Sequence, residues 1–136
     1  MSPPKTLLEM AGADLSPPDW SAAALVLIDC QREYVDGALA LPGVRPALAE
    51  AVKLVTLARN AGAPVIHIVH RGATVGGLFD PTAQGGQEAD EVAASAGEAV
   101  IAKSLPNAFS GTTLDQTLKS TGRKALVLAG LMTHMC

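Results

Sequence analysis

The 136-residue chain is poor in aromatic residues and in clustered charge, and each shortage excludes a class of protein. Aromatic residues make up 3% of the sequence, too few for the stacking platforms that bind single-stranded nucleic acids. Ten lysines and arginines stand against 13 aspartates and glutamates without a run of either sign, which argues against a phosphate-backbone binder. We therefore expect no nucleic-acid partner.

Long hydrophobic runs are also missing. No window reaches the roughly 20 apolar residues of a membrane span, and the N-terminus lacks the apolar core of a signal peptide. We therefore expect a cytoplasmic protein without a membrane partner. The two cysteines, Cys30 and Cys136, belong to no Cys-x-x-Cys pair, so neither a disulfide framework nor a thiolate zinc site is indicated.

What the sequence does contain is 49% apolar residues, enough for the core of one domain. A proline-containing arm, residues 1–20, precedes this domain, residues 21–136, and we expect one helical turn in the arm at Leu7 to Met10. Four short apolar runs predict strands buried in a parallel sheet. They are Ala22–Ile28, Pro64–His70, Ala99–Ala102 and Ala125–Ala129.

Helices are predicted between these strands. Apolar residues at three- and four-residue steps predict a helix from Val44 to Ala61. Thr112 with Asp115 resembles a capping box that opens another helix, ending near Thr121 before Gly122. Strands that alternate with helices predict an α/β fold, a three-layer α/β/α arrangement around a mostly parallel, Rossmann-like sheet.

A long glycine-rich segment, Arg71 to Gly97, connects the second and third strands. Connections of this length inside a compact domain are often binding loops or lids, so we expect a flexible flap here. A short helix is expected within it, from Gln87 to Ser95.

Three reactive side chains follow strand ends: Asp29 after the first strand, Lys103 after the third and Cys136 after the fourth. The carboxyl ends of parallel strands share one edge of the sheet, where ligand sites lie. A thiol is a useful nucleophile only as thiolate, which a nearby cation or base provides. The sequence thus indicates a Cys-Lys-Asp triad, although a packed core thiol, a turn aspartate and a solvated lysine would also fit the residues taken singly.

Three segments together resemble the isochorismatase-like cysteine hydrolases, the family that includes nicotinamidases and N-carbamoylsarcosine amidohydrolases. The resemblance runs from about Ala23 to the last residue, in the family's order. It is carried by Leu25–Gln31, Ala102–Ser104 and Leu128–Cys136. The resemblance implies an enzyme that hydrolyses the C–N bond of a small amide without a cofactor, usually as a homo-oligomer.

The resemblance also implies roles for individual residues. Asp29 matches the family's base, Lys103 its lysine and Cys136 its nucleophile. A cis peptide between Leu131 and Met132 is implied, and the backbone N–H groups of Met132 and Cys136 would form an oxyanion hole.

Four further side chains are candidates for substrate contact. Gln31 and Tyr34 follow the family's Asp-x-Gln-x-x-aromatic pattern. His70, at a strand end, and His134, two residues before Cys136, could each contact substrate or serve only packing. We expect no metal, because the Asp-x-His motif of metal-dependent nicotinamidases is missing from the Arg71 to Gly97 segment, and His67 and His70 should point to opposite faces of their strand.

Two other functions stay open. True isochorismatases, which cleave a vinyl ether, usually lack the nucleophilic cysteine, so Cys136 favours an amidase over them. A truncated, non-catalytic binding or assembly subunit is the third possibility. The family's fold usually continues past the nucleophile, so we expect the domain to be cut short after the fourth strand, leaving that strand as an exposed apolar edge.

Overall fold

The computed structural model describes residues 1–136 and contains one parallel four-stranded sheet in the order β3-β2-β1-β4. All but the last residue of β1 and of β2 are buried, because each of these strands lies between two others. The predicted α/β fold is confirmed, with strand ends shifted by one residue or none. The strands are β1 Ala23–Ile28, β2 Val65–His70, β3 Ala99–Lys103 and β4 Ala125–Gly130.

Two of the three helices cover opposite faces of this sheet. The helices are α1 Leu7–Met10, α2 Val44–Asn60 and α3 Leu114–Thr121, and α2 and α3 are the two that pack on the sheet. Along β1, Leu25 belongs to the core cluster that includes buried residues of α2, whereas Val26 belongs to a second cluster with Leu114 of α3. This alternation follows from the two-residue period of a strand. It produces the predicted three layers.

The predicted capping box at the start of α3 is wrong. The helix begins at Leu114, and its N-cap residue Thr113 makes no side-chain capping bond. The Thr112 hydroxyl donates to the Ala108 carbonyl at 2.5 Å and accepts from the Leu114 N–H at 3.3 Å, whereas Asp115 pairs with Lys119 and not with Thr112. The predicted end is confirmed, because Gly122 takes the left-handed conformation (φ 68°) that closes the helix.

The predicted helix from Gln87 to Ser95 is also wrong. This range contains only one 3-10 turn, Asp90–Val92, and a second turn, Gln84–Gly86, precedes it. Tertiary contacts override helix formation here, because Glu88 forms an antiparallel bridge with Gln31. This part of the segment is thus bound along the sheet edge by backbone hydrogen bonds instead of projecting as a flap.

Strand β4 lies at an edge of the sheet, as predicted. Alternate residues along it are exposed, and Leu126 and Leu128 keep 41% and 64% of their surface accessible. The short α1 has no buried residue. None of the helices has the length and apolar character that crossing a membrane requires.

Candidate active site

Asp29 lies at the centre of the sheet edge. Its backbone N–H donates to the carbonyl of Ile68 at 2.9 Å, which extends the ladder by one residue beyond β1. The residue has a positive φ of 53°, a conformation that aspartate tolerates better than most side chains. Asp29 is fully buried, and neither carboxylate oxygen has a well-aligned hydrogen-bond donor. A buried carboxylate in this state requires a compensating charge.

Lys103 provides the compensating charge. It is the last residue of β3, and its side chain is fully buried. The ammonium Nζ lies 2.9 Å from Oδ2 of Asp29 and 3.1 Å from Nδ1 of His70. Burying one of these charges alone would be costly, so each depends on the other. The structure therefore brings together two of the three residues of the predicted triad as an ion pair.

Cys136 joins this pair from the turn after β4. The peptide bond between Leu131 and Met132 is cis, as the resemblance implied. Burial raises the pKa of the Cys136 thiol above its ordinary value, and contact with the Asp29 carboxylate raises it further, whereas contact with Lys103 lowers it. The thiol thus faces both charges and stays protonated at neutral pH. The sequence predicted thiolate stabilisation by Lys103; in the structure, burial and Asp29 outweigh it.

Cys30, the other thiol, differs from Cys136 in its burial and in the pKa of its thiol. It is buried in the core, and burial with the charges of Glu88 and Asp29 raises the pKa of its thiol to about 12. Cys30 is therefore an inert core thiol.

Aromatic rings border the site. Tyr34 is buried at the end of a 3-10 turn, and burial together with the charges of Asp29 and Cys136 raises the pKa of its phenol to about 12. The Phe79 ring packs edge-on against Tyr34 at 5.1 Å and against His70 at 5.2 Å between centroids. Nothing in the sequence pointed to Phe79, because only the path of the long segment carries it there.

His70 is half-buried at the end of β2. Burial and the neighbouring charge of Lys103 lower the pKa of its imidazole, and the weaker opposing effect of Asp29 does not restore it. The ring is therefore neutral at pH 7, and its Nδ1 accepts a hydrogen bond from Lys103. This neutral acceptor orients the lysine, while substrate contact by His70 stays a prediction.

Gln31 is fully buried, and its side-chain amide is occupied by the backbone. Its Nε2 donates to the carbonyls of His70 at 2.9 Å and Gly86 at 3.0 Å, and its Oε1 accepts from the His70 N–H at 2.8 Å. Both amide hydrogens are therefore engaged. Gln31 links the end of β2 to the long segment, and its predicted contact with substrate stays a prediction.

The segment around Cys136 is more open. Cys136 lines a depression of about 410 Å³ and a second one of about 200 Å³. The larger depression is also lined by Ile28, Leu128, Leu131 and Met132. His134 is exposed and makes no hydrogen bond to the buried pair. The oxyanion-hole role of Met132 and the substrate contact of His134 stay predictions.

The structure contains no group of three His, Cys, Asp or Glu side chains arranged to hold a metal ion.

The family model described as "Isochorismatase domain" matches residues 23–136. The chain belongs to the isochorismatase family. A Pseudomonas putida protein described as an isochorismatase has a crystal structure that superposes with a TM-score of 0.88 at 42% identity, covering 97% of this chain and 68% of that one.

Two other relatives show the breadth of the family. N-carbamoylsarcosine amidase from Thermoplasma acidophilum superposes with a TM-score of 0.76 at 30% identity, covering 84% of this chain and 70% of the other. "Secreted isochorismatase effector Isc1" from Verticillium dahliae is 33% identical over 93% of this chain and 67% of its own length. The chain thus spans about two thirds of the length of these proteins, and the family places it among hydrolases that include an amidase.

Proposed function

We propose that this protein is a cysteine hydrolase that cleaves the C–N bond of a small amide, with Cys136 as nucleophile, Asp29 as base and Lys103 as the cation of the triad. One observation carries the proposal: a fully buried aspartate–lysine pair, 2.9 Å apart, lies close enough to Cys136 that both groups shift the pKa of its thiol.

The raised pKa of the Cys136 thiol defines the first step. The thiol is protonated at rest, so a base must remove its proton as the sulfur attacks the amide carbonyl. Asp29 is in contact with the thiol and accepts this proton, while Lys103 offsets the charge that develops on sulfur. The C–S bond forms and the carbonyl oxygen becomes an oxyanion.

Collapse of this intermediate completes acylation. Asp29 returns its proton to the nitrogen, the C–N bond breaks, and an amine or ammonia leaves. Water then attacks the thioester and gives its proton to Asp29. The C–S bond breaks, the acid is released, and the Cys136 thiol regains its proton.

The oxyanion needs donors that are in place before it forms. We assign this role to the backbone N–H groups of Met132 and Cys136, each worth about 10²- to 10³-fold in rate in comparable sites. Tyr34, Phe79 and His70 border the acyl pocket in this proposal. No cofactor or metal takes part, and a cytoplasmic homo-oligomer acting on a small-molecule amide is the form in which we propose that the enzyme works.

The proposal is tested by assaying the wild-type protein against a panel of small primary amides and ureides for ammonia release. Cys136→Ala is expected to abolish release, a loss of at least about 10³-fold. Cys30→Ala is the matched control, because it removes a buried thiol that has no part in the reaction, and it should keep its turnover number near wild type. Release that survives Cys136→Ala would refute the nucleophile.

Hydrolysis of a vinyl ether is the second candidate, favoured by the description of the Pseudomonas putida relative as an isochorismatase. It predicts isochorismate cleavage that Cys136→Ala leaves unchanged. A non-catalytic binding subunit predicts no turnover of either substrate class.

A further inference from the structure

His67 forms a charged cluster that the proposed reaction does not use. It lies in the middle of β2, and its side chain is completely buried. Its Nδ1 is 2.6 Å from a carboxylate oxygen of Glu88, and its Nε2 is 3.2 Å from a carboxylate oxygen of Glu98. An imidazole can donate from both nitrogens only in its protonated form. The geometry therefore favours an imidazolium held between two carboxylates.

The other groups around His67 agree with this charge state. Glu98 is also paired with Arg59 of α2 at 2.7 Å, and the neighbouring strands present Leu27 and Val100 beside His67. Cys30, the remaining titratable group beside Glu88, stays protonated. Burial lowers the pKa of the His67 imidazole, but the hydrogen bonds and charges of Glu88 and Glu98 outweigh this and raise it above its ordinary value.

Glu88 belongs to a short strip, residues 86–89, that is attached to the residues following Asp29. Glu88 forms the antiparallel bridge with Gln31. On either side of that bridge, the N–H of Arg32 donates to the Gln87 carbonyl and the N–H of Ala89 donates to the Cys30 carbonyl, both at 2.8 Å. The 86–89 strip is therefore fixed at one side by His67 and at the other by residues 30–32.

Gln31 connects this strip to the site. Its amide binds the carbonyl of Gly86 within the strip, and it both donates to and accepts from the backbone of His70. Its own N–H donates to the Asp29 carbonyl at 2.8 Å. A continuous set of contacts thus runs from His67 through Glu88 and Gln31 to the two residues that contact Lys103. These are Asp29 and His70.

We propose that His67 is a positioning residue: held between Glu88 and Glu98, it fixes the 86–89 strip, and the strip fixes Gln31 against Asp29 and His70. The effect on turnover rests on the proposed function, whereas the effect on the strip does not. Loss of the imidazolium leaves two carboxylates facing each other across the vacated position, so the strip should separate from the sheet while the core stays folded.

The first test measures amide hydrogen exchange in His67→Gln, with Val65→Ala as a matched core variant on the same strand. The amides of Arg32, His70 and Ala89 report the strip and Gln31, and the amide of Leu25 reports the core. Relative to Leu25, these three amides should exchange about tenfold faster or more in His67→Gln, with no such change in Val65→Ala. Unchanged ratios, or equal changes in both variants, would overturn the proposal.

The second test separates positioning from substrate binding. In His67→Gln, kcat should fall by about ten- to a hundredfold while KM changes little, because the reacting groups are displaced and the pocket persists. Adding Glu88→Gln should restore much of kcat, since two amides can pair without charge. If Glu88→Gln does not restore kcat and the exchange ratios are unchanged, His67 has only a packing role and the proposal is wrong. If exchange responds but the wild type hydrolyses no amide, the positioning role stands and the proposed function fails.

Discussion

Two histidines three residues apart on β2 lie in opposite electrostatic environments. His67 is buried between two carboxylates, which raise the pKa of its imidazole. His70 lies beside the Lys103 ammonium, and burial with that charge lowers the pKa of its imidazole. One strand thus carries in its middle a histidine whose positive charge is favoured, and at its end a histidine that is neutral.

This difference separates a structural cluster around His67 from the candidate catalytic site at the end of the same strand. Side chains alternate between the two faces of β2, so the two rings lie in different surroundings, as their three-residue spacing predicted. On the His67 side, the charges are fully compensated by close partners and serve to hold the backbone. At the His70 end, the lone buried lysine must balance Asp29, face His70 and contact Cys136. A charged group that must serve several neighbours at once is typical of a catalytic site.

The largest effect is expected from Lys103→Met, which removes the charge at the His70 end. The Asp29 carboxylate is then buried without a partner, which costs about 3 to 5 kcal/mol in comparable buried pairs. Urea unfolding at pH 7 measures this loss, and amide turnover should disappear with it. Lys119→Ala is the control, because Lys119 pairs with Asp115 at 2.8 Å on the exposed surface, so its loss should leave the urea midpoint nearly unchanged. Similar losses for the two lysines would contradict the account.

A smaller effect is expected in the pH dependence of stability, where the two histidines should have opposite signs. The raised pKa of His67 contributes stability that is present below its unfolded value of about 6.5 and is lost as pH rises through the folded value. The lowered pKa of His70 contributes stability that is present above about 6.5 and is lost as pH falls through the folded value.

Unfolding free energies measured from pH 5 to 9 test these signs. His67→Gln should flatten the alkaline side of the profile, and His70→Gln should flatten the acidic side. Two variants that flatten the same side would show that the environments of the two rings are alike.

The smallest effect, and the most local, is expected in proton NMR titrations of the two rings. Glu88→Gln removes one carboxylate charge from His67, so the pKa of that imidazole should fall while that of His70 stays within error. A matched shift at both rings would indicate a global change in conformation instead.

Much of this arrangement was predictable from the sequence. The apolar runs located all four strands to within a residue, and the polar residues at their ends identified Asp29, Lys103 and Cys136 as neighbours, since parallel strands bring their carboxyl ends to one edge. The cis peptide before Met132 followed from the family resemblance alone.

The rest depends on contacts between distant parts of the chain. The Thr112 hydroxyl donates to the Ala108 carbonyl and accepts from the Leu114 N–H, so it forms no capping box with Asp115. Glu88 pairs with Gln31 instead of entering a helix. Phe79 reaches the site only through the path of its loop. The charge state of His67 depends on Glu88 and Glu98, whose approach no periodicity or spacing indicates.

The central claim is that Asp29 is the base that acts directly on the Cys136 thiol. The most direct test measures the pH dependence of Cys136 alkylation by iodoacetamide, together with amide turnover, in wild type and in Asp29→Asn. Because the Asp29 carboxylate raises the pKa of the thiol, Asp29→Asn should move alkylation to lower pH and abolish turnover, so that the thiolate forms more readily while catalysis is lost. An alkylation profile that does not move, or turnover that persists in Asp29→Asn, would contradict it.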